Sequence, residues 1–132
     1  MDFEKYTDKS KQIVQAAQAL ALRASHQRFS PEHLLQALME DREGLSNRLI
    51  RAAGGDPQAV AERAEAAVRA LPRVEGSGAG QLYLSPELAR VFDAAQQLAE
   101  KAHDEFVTAE RLLQALAVST GNAAGKALKD AG

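Results

Sequence analysis

With 132 residues, a net charge of −2, a 45% hydrophobic share, 5% aromatics and neither Cys nor Trp, the chain is the size of one ordinary domain and can bury roughly two-thirds of its unfolded surface. The near-neutral charge leaves no electrostatic footprint for nucleic acid or an anionic membrane, and the absence of cysteine excludes disulfides, thiol catalysis and Cys-bearing metal sites. Alanine-rich composition with few aromatics predicts an all-α domain of closely packed helices. No basic segment followed by an apolar run opens the chain, and no stretch approaches the ~20 apolar residues of a membrane span, so a soluble, cytoplasmic protein is expected.

The first predicted helix is capped by Thr7 and carries Ile13, Ala16, Ala17, Leu20, Ala21 and Ala24 at the spacing of one helical face. The polar stretch 25–28 interrupts it. Ser30-Pro31-Glu32 then supplies a cap, a first-turn proline and an acid at the positive helix end, which predicts a second helix to about Glu40. After Gly44, the run Leu45, Leu49, Ile50 and Ala53 reads as a third helix stopped by Gly54-Gly55. Asp56-Pro57 starts a further helix bearing Val60, Ala64, Ala67, Val68 and Leu71, ended by Pro72. Residues 73–81 hold three glycines and a serine and predict a flexible loop.

Ser85-Pro86-Glu87 repeats the grammar of Ser30, with Leu88, Val91, Phe92, Ala95, Leu98, Ala99 and Ala102 on the face that follows. Thr108 caps another helix, and a last short helix is predicted over 123–131, including Leu128. Phe29-Ser30-Pro31-Glu32-His33-Leu34-Leu35-Gln36-Ala37-Leu38 is echoed by 106–116. A shift of 78 residues matches Thr7 to Ser85, Leu20 to Leu98, Glu32 to Glu110 and Gly54 to Gly132. Residues 7–54 and 85–132 therefore read as two copies of a three-helix unit, joined by the extra helix and Gly-rich loop of 55–84. Packing them face to face about a pseudo-twofold axis buries both apolar sides and leaves a groove between them. In the turn before the second helix, His103 to Phe106 align with His26 to Phe29 at a shift of 77, so Asp104 faces Gln27 and Val107 reads as an insertion.

Chemistry is sparse. Gly121-Asn122-Ala123-Ala124-Gly125-Lys126-Ala127 has three rather than four residues between its glycines and no Ser or Thr after the lysine, so it is not a phosphate-binding loop. His26, His33 and His103 lack paired metal-ligand spacing; His33, third in its helix, suits a hydrogen bond to backbone or carboxylate. No nucleophile elbow is present. No catalytic and no metal residues are assigned. Glu32, Glu87 and Glu110 fit the helix dipole, whereas Asp104 departs from its repeat partner in a loop, where binding residues concentrate.

Tyr6-Thr7, Ala17-Gln18-Ala19-Leu20-Ala21, Pro31-Glu32-His33-Leu34-Leu35, Leu71-Pro72-Arg73-Val74-Glu75-Gly76 and the second Glu-x-Leu-Leu together resemble the Clp amino-terminal repeat domain over essentially the whole chain, closest to the ClpB type. The resemblance implies an α-helical substrate-recognition domain of a longer, hexameric ATP-dependent disaggregating chaperone. Such a domain, a monomer when isolated, engages unfolded or aggregated polypeptides and adaptor proteins, with no nucleic acid or membrane partner. It implies no cofactor in this domain, with ATP and magnesium expected for the full-length ATPase. The family's polar substrate-handling group would fall on Thr7, Asp104 and Glu110, beside an apolar wall of Leu88, Val91 and Phe92. Arg111 stands where the family carries an apolar residue. The alternatives are an adaptor-docking domain of a ClpA- or ClpC-type proteolytic subunit and a standalone accessory protein.

Overall fold

The computed structural model describes residues 5–24, 26, 28–40, 45–71 and 83–118. The expected loop over 73–81, the helix over 123–131, and the positions of Gln27, Gly44 and Pro72 lie outside the described residues. Within them the order is α1 (Asp8–Arg23), β1 (Arg28–Phe29), α2 (Pro31–Glu40), α3 (Leu45–Ala52), α4 (Pro57–Arg69), β2 (Tyr83–Leu84), α5 (Pro86–Lys101) and α6 (Ala109–Val118). The helical expectation holds, and no described helix is long and apolar enough to cross a membrane.

The helix starts are chemical. Thr7 Oγ1 accepts from Ser10 N, Asp56 Oδ1 from Gln58 N and Ser85 Oγ from Leu88 N, each satisfying a backbone donor that the first turn leaves unpaired. Pro57 and Pro86 follow their caps at the first helical position. At α2 the cap works in reverse: Ser30 N–H donates to His33 Nδ1 at 3.0 Å, the return half of a capping box with imidazole in place of Glu or Gln.

Helix ends are as explicit. After α3, Gly54 N donates to Arg51 O and Gly55 N to Ile50 O, with Gly54 at φ +90°. After α5, His103 N donates to Glu100 O and Asp104 N to Ala99 O, with His103 at φ +62°. Both are Schellman stops, but the second places a Cβ in the left-handed region, a conformation that glycine adopts without that penalty. His103→Gly is therefore expected to stabilise the domain by roughly 0.5–1 kcal/mol. A urea titration checks this: the midpoint should rise at unchanged slope, and an unchanged or lowered midpoint would refute it.

Helix α2 lies at the centre, buried on nearly every side, against α1, α4 and, more lightly, α3, α5 and α6. Helix α6 packs on α5 and touches α1, α2 and α3. The face that α1 buries is Ser10, Val14, Ala17 and Ala21. Ala16, expected inside, is exposed, and Ile13 and Leu20 lie at the margin. The helix is turned because Ser10 Oγ reaches Val107 O at 2.8 Å and Thr7 O at 2.9 Å, giving a small polar residue a reason to face inward.

Short parallel pairings cross between the halves of the chain. Arg28–Phe29 pairs with Tyr83–Leu84, and Tyr6 bridges Val107. Thr7 N donates to Val107 O and Ser85 N to Phe29 O, both at 3.0 Å. A shift of 78 residues carries Tyr6 to Leu84 and Phe29 to Val107, so each pairing maps onto the other. The 78-residue register thus runs unbroken through this turn, and two expectations are corrected. Val107 is not an insertion: it is 2% exposed like Phe29 at 3%, whereas Phe106 is 48% exposed. Asp104 corresponds to His26, not Gln27, since Asp104 N donates to Ala99 O as His26 N does to Ala21 O. His26 and His103 are accordingly not equivalent.

Candidate functional site

The three polar residues singled out in the sequence stand at the start of α1, in the turn before α6 and in the first turn of α6. Thr7 caps α1 and is pinned beside α6 by the Tyr6–Val107 bridge. Its Oγ1 is also within 2.9 Å of Ser10 Oγ, to which it donates. Asp104 sits in the turn that the Schellman stop of α5 creates, and its Oδ2 accepts from Arg111 Nε at 2.9 Å. Glu110 stands in the first turn of α6, half-buried, where a carboxylate favours the helix dipole. No side-chain hydrogen bond joins Thr7, Asp104 and Glu110 to one another among the described residues. What unites them is α6: Thr7 is tied to its approach, Asp104 to its third residue, and Glu110 belongs to it.

Arg111, a departure from the resembled pattern in the sequence, is the link that sequence reasoning undervalued. Besides Asp104 it reaches Gln114, with Nη1 donating to Oε1 at 2.7 Å. In the first half the same two positions are His26 and His33, whose Nδ1 and Nε2 stand 2.8 Å apart. Both halves therefore tie the turn to the helix that follows it, with an imidazole pair in one and an ion pair in the other.

Leu88, Val91 and Phe92 do not form an accessible wall. They are 0%, 1% and 1% exposed, and Phe92 packs edge-on against Tyr6 and Phe29 with ring centroids 6.2 and 6.3 Å away. The amphipathic pattern of α5 identified a buried face correctly, but that face is closed by the crossing segments Tyr6 and Phe29. Burial also pushes the Tyr6 phenol up to about 12.

An open apolar cleft lies elsewhere, between α3 and α6. A cleft of about 220 Å³ is lined by Leu49, Ile50, Ala53, Leu113 and Ala117, with Glu110 and Gln114 as its polar members. That is smaller than the roughly 300–1,000 Å³ of pockets enclosing a whole small molecule, and it suits one or two side chains of a longer partner. A second cleft, about 430 Å³, is bounded by Met39, Asn47, Arg51, Gln58, Glu62 and Glu65 between α2, α3 and α4; its lining is predominantly polar. A sequence sign of the apolar cleft existed in α6, where Leu112, Leu113, Ala115, Leu116, Ala117 and Val118 exceed what one buried face needs. The surplus emerges as exposed Ala117 and as Val118, 69% exposed.

Residues 5–131 match the Clp repeat (R) N-terminal domain. The chaperone protein ClpB of Rhodopseudomonas palustris is 50% identical over 132 residues, covering 100% of this chain and 15% of the relative. The ClpB of Rickettsia felis is 33% identical over 133 residues, with 100% and 15% covered. The chain thus spans 15% of the length of these curated relatives. The Hsp104 N-terminal domain from Candida albicans shares the fold, with a TM-score of 0.83 at 18% identity over 96% of this chain and 81% of that one.

Proposed function

The chain belongs to the Clp repeat N-terminal domain family, and from that premise we propose that it is the substrate-recognition domain of a ClpB-type disaggregating chaperone, receiving apolar segments of unfolded or aggregated polypeptides in the α3–α6 cleft. The observation that carries this reading is the cleft's composition: an open aliphatic floor bordered by a carboxylate, Glu110, and a carboxamide, Gln114. Aliphatic surface rewards burial of any apolar side chain at about 25 cal/mol per Å² and does so without direction. A few polar groups at the border hold backbone. Such a site binds weakly and tolerates sequence variation, as capture of unrelated unfolded chains requires. Of the polar residues expected from the resemblance, Glu110 lines this cleft, while Thr7 and Asp104 stand beside the start of α6 and support it from there in this reading. The domain performs no chemistry of its own; ATP and magnesium belong to motor domains of the longer, hexameric protein. The correspondence of the crossed pairings under the 78-residue shift supports reading residues 7–54 and 85–132 as two copies about a pseudo-twofold axis.

The test titrates the domain against fluorescein-labelled casein, an unfolded chain, following anisotropy. Ala53 and Ala117 are exposed at the cleft, so Ala53→Glu and Ala117→Glu introduce a charge there with stability changes within about 0.5 kcal/mol. Each is expected to weaken binding roughly tenfold, equivalent to about 1.4 kcal/mol. Thr7→Ala should lose about 1 kcal/mol of cap stability and, in addition, affinity beyond what that destabilisation explains. Tight binding of folded adaptor proteins with no response to casein would replace this reading with adaptor docking.

A further inference from the structure

We propose that Asp104 acts on the cleft at one remove: it anchors Arg111, Arg111 orients the carboxamide of Gln114, and Gln114 presents its Nε2 amino group to a backbone carbonyl of the bound polypeptide. The inference rests on the reading of the α3–α6 cleft as a polypeptide site, and it assigns Asp104 and Arg111 as positioning residues and Gln114 as the contact.

The chemistry of the donors dictates the arrangement. A guanidinium has only N–H donors and no acceptor. With Arg111 Nη1 2.7 Å from Gln114 Oε1, the carboxamide must turn its oxygen to the arginine, which leaves the Nε2 end for the cleft that Gln114 lines. Arginine is in turn fixed by Asp104, 2.9 Å from Nε, using a different edge of the guanidinium. The side chains of Arg111 and Asp104 are 19% and 32% exposed, so the pair is sheltered enough to hold one geometry. Glu110, one turn N-terminal to Gln114 on α6, also lines the cleft. The border thus offers an acceptor, Glu110, at i and a donor, Gln114, at i+4 on one helix face, the complement of the N–H and carbonyl of an extended peptide.

The first half of the chain shows that this relay is not demanded by the fold. Its turn is tied by His26 and His33, and His33 spends Nδ1 on the Ser30 N–H. The residue equivalent to Gln114 is Gln36, whose Oε1 is buried with no hydrogen-bond partner among the described residues. The same turn therefore closes without orienting a glutamine. The Arg111–Gln114 bond is an addition made only where Gln114 borders the apolar cleft.

Casein anisotropy and the urea midpoint are measured in parallel on Gln114→Leu, Gln114→Glu, Arg111→Leu, Arg111→Lys, Asp104→Ala and the Arg111→Leu/Gln114→Leu double variant. Gln114→Leu should weaken casein binding by roughly three- to tenfold, the range of one net hydrogen bond. Arg111→Leu should weaken it comparably, with the double variant no weaker than either single change. Arg111→Lys should recover part of the loss. Gln114→Glu separates recognition from structure, because a carboxylate pairs with Arg111 and preserves or raises the urea midpoint while removing the donor, so binding falls as stability does not. Unchanged binding in both Gln114 variants, or additive losses in the double variant, overturns the relay. If Ala117→Glu abolishes binding while the Gln114 variants leave it intact, the relay alone fails. If Ala117→Glu is silent, the cleft reading fails and the relay with it.

Discussion

Phe92→Ala is expected to destabilise the domain by about 3–5 kcal/mol, the cost of deleting a fully buried phenyl ring and leaving a partly uncollapsed cavity. The size follows from where the ring sits. Phe92 belongs to α5, yet its edge-on partners are Tyr6, ahead of α1, and Phe29, in β1. Phe29 continues to His33, 6.3 Å away, and His33 to His26, 5.0 Å away. The deletion would strip one face from two rings that the crossed backbone pairings hold in place, so neither can follow inward to fill the space. A melting-temperature loss of roughly 10–20 °C is the corresponding signal. Phe106→Ala is the control: that ring is 48% exposed and its removal should stay within about 0.5 kcal/mol. A Phe92→Ala loss below about 1 kcal/mol would refute the central place given to the ring.

Acid should weaken the fold through His33. Burial first and the neighbouring His26 second hold its imidazole down at about 4, against 6.5 ordinarily. Ser30 N–H can only donate, so His33 Nδ1 is an acceptor and the proton of the neutral ring sits on Nε2, pointing at His26 Nδ1, 2.8 Å away. A second proton would have to displace the Ser30 bond. The unfolded chain takes up that proton near pH 6.5 and the folded chain only near pH 4. Between those values the unfolded state binds more protons, so this contribution is complete above pH 6.5, falls as pH drops, and levels near pH 4. The full span amounts to about 3 kcal/mol. Urea midpoints across that range measure it, with His33→Gln expected to lower overall stability but remove this part of the slope. An unaltered slope in the variant would assign the acid sensitivity to other groups.

The starts and stops of the helices were legible because their chemistry is local. Thr7, Ser85, Asp56-Pro57 and Gly54 each satisfy or end a single turn, and a reader of the chain needs no tertiary knowledge to place them. The 78-residue correspondence was visible in the sequence and misregistered at one turn, where a shift of 77 replaced it. Phe106 resembles Phe29 in type, but Val107 shares its burial and its backbone partner, and only the crossed pairing distinguishes the two. Leu88, Val91 and Phe92 show the limit of periodicity: it reports that a face is covered, not what covers it. Arg111 was noticed as an exception, yet its value depends on Asp104 seven residues back and Gln114 three residues on, two partners that no local rule pairs with it.

The crossed pairings bear on how the domain assembles. Thr7 N–H donates to Val107 O, and Ser85 N–H to Phe29 O; Ser10 and Val107 meet across 97 residues of chain. Each half supplies the acceptor that completes the other's first helix, so half a chain retains backbone donors that must be left to water. Local helix pairs such as α5 with α6 can form early, but closing the long loops between the crossing segments is entropically costly until both halves are present. The two halves are consequently expected to unfold in a single cooperative transition, although the sequence reads as separate modules.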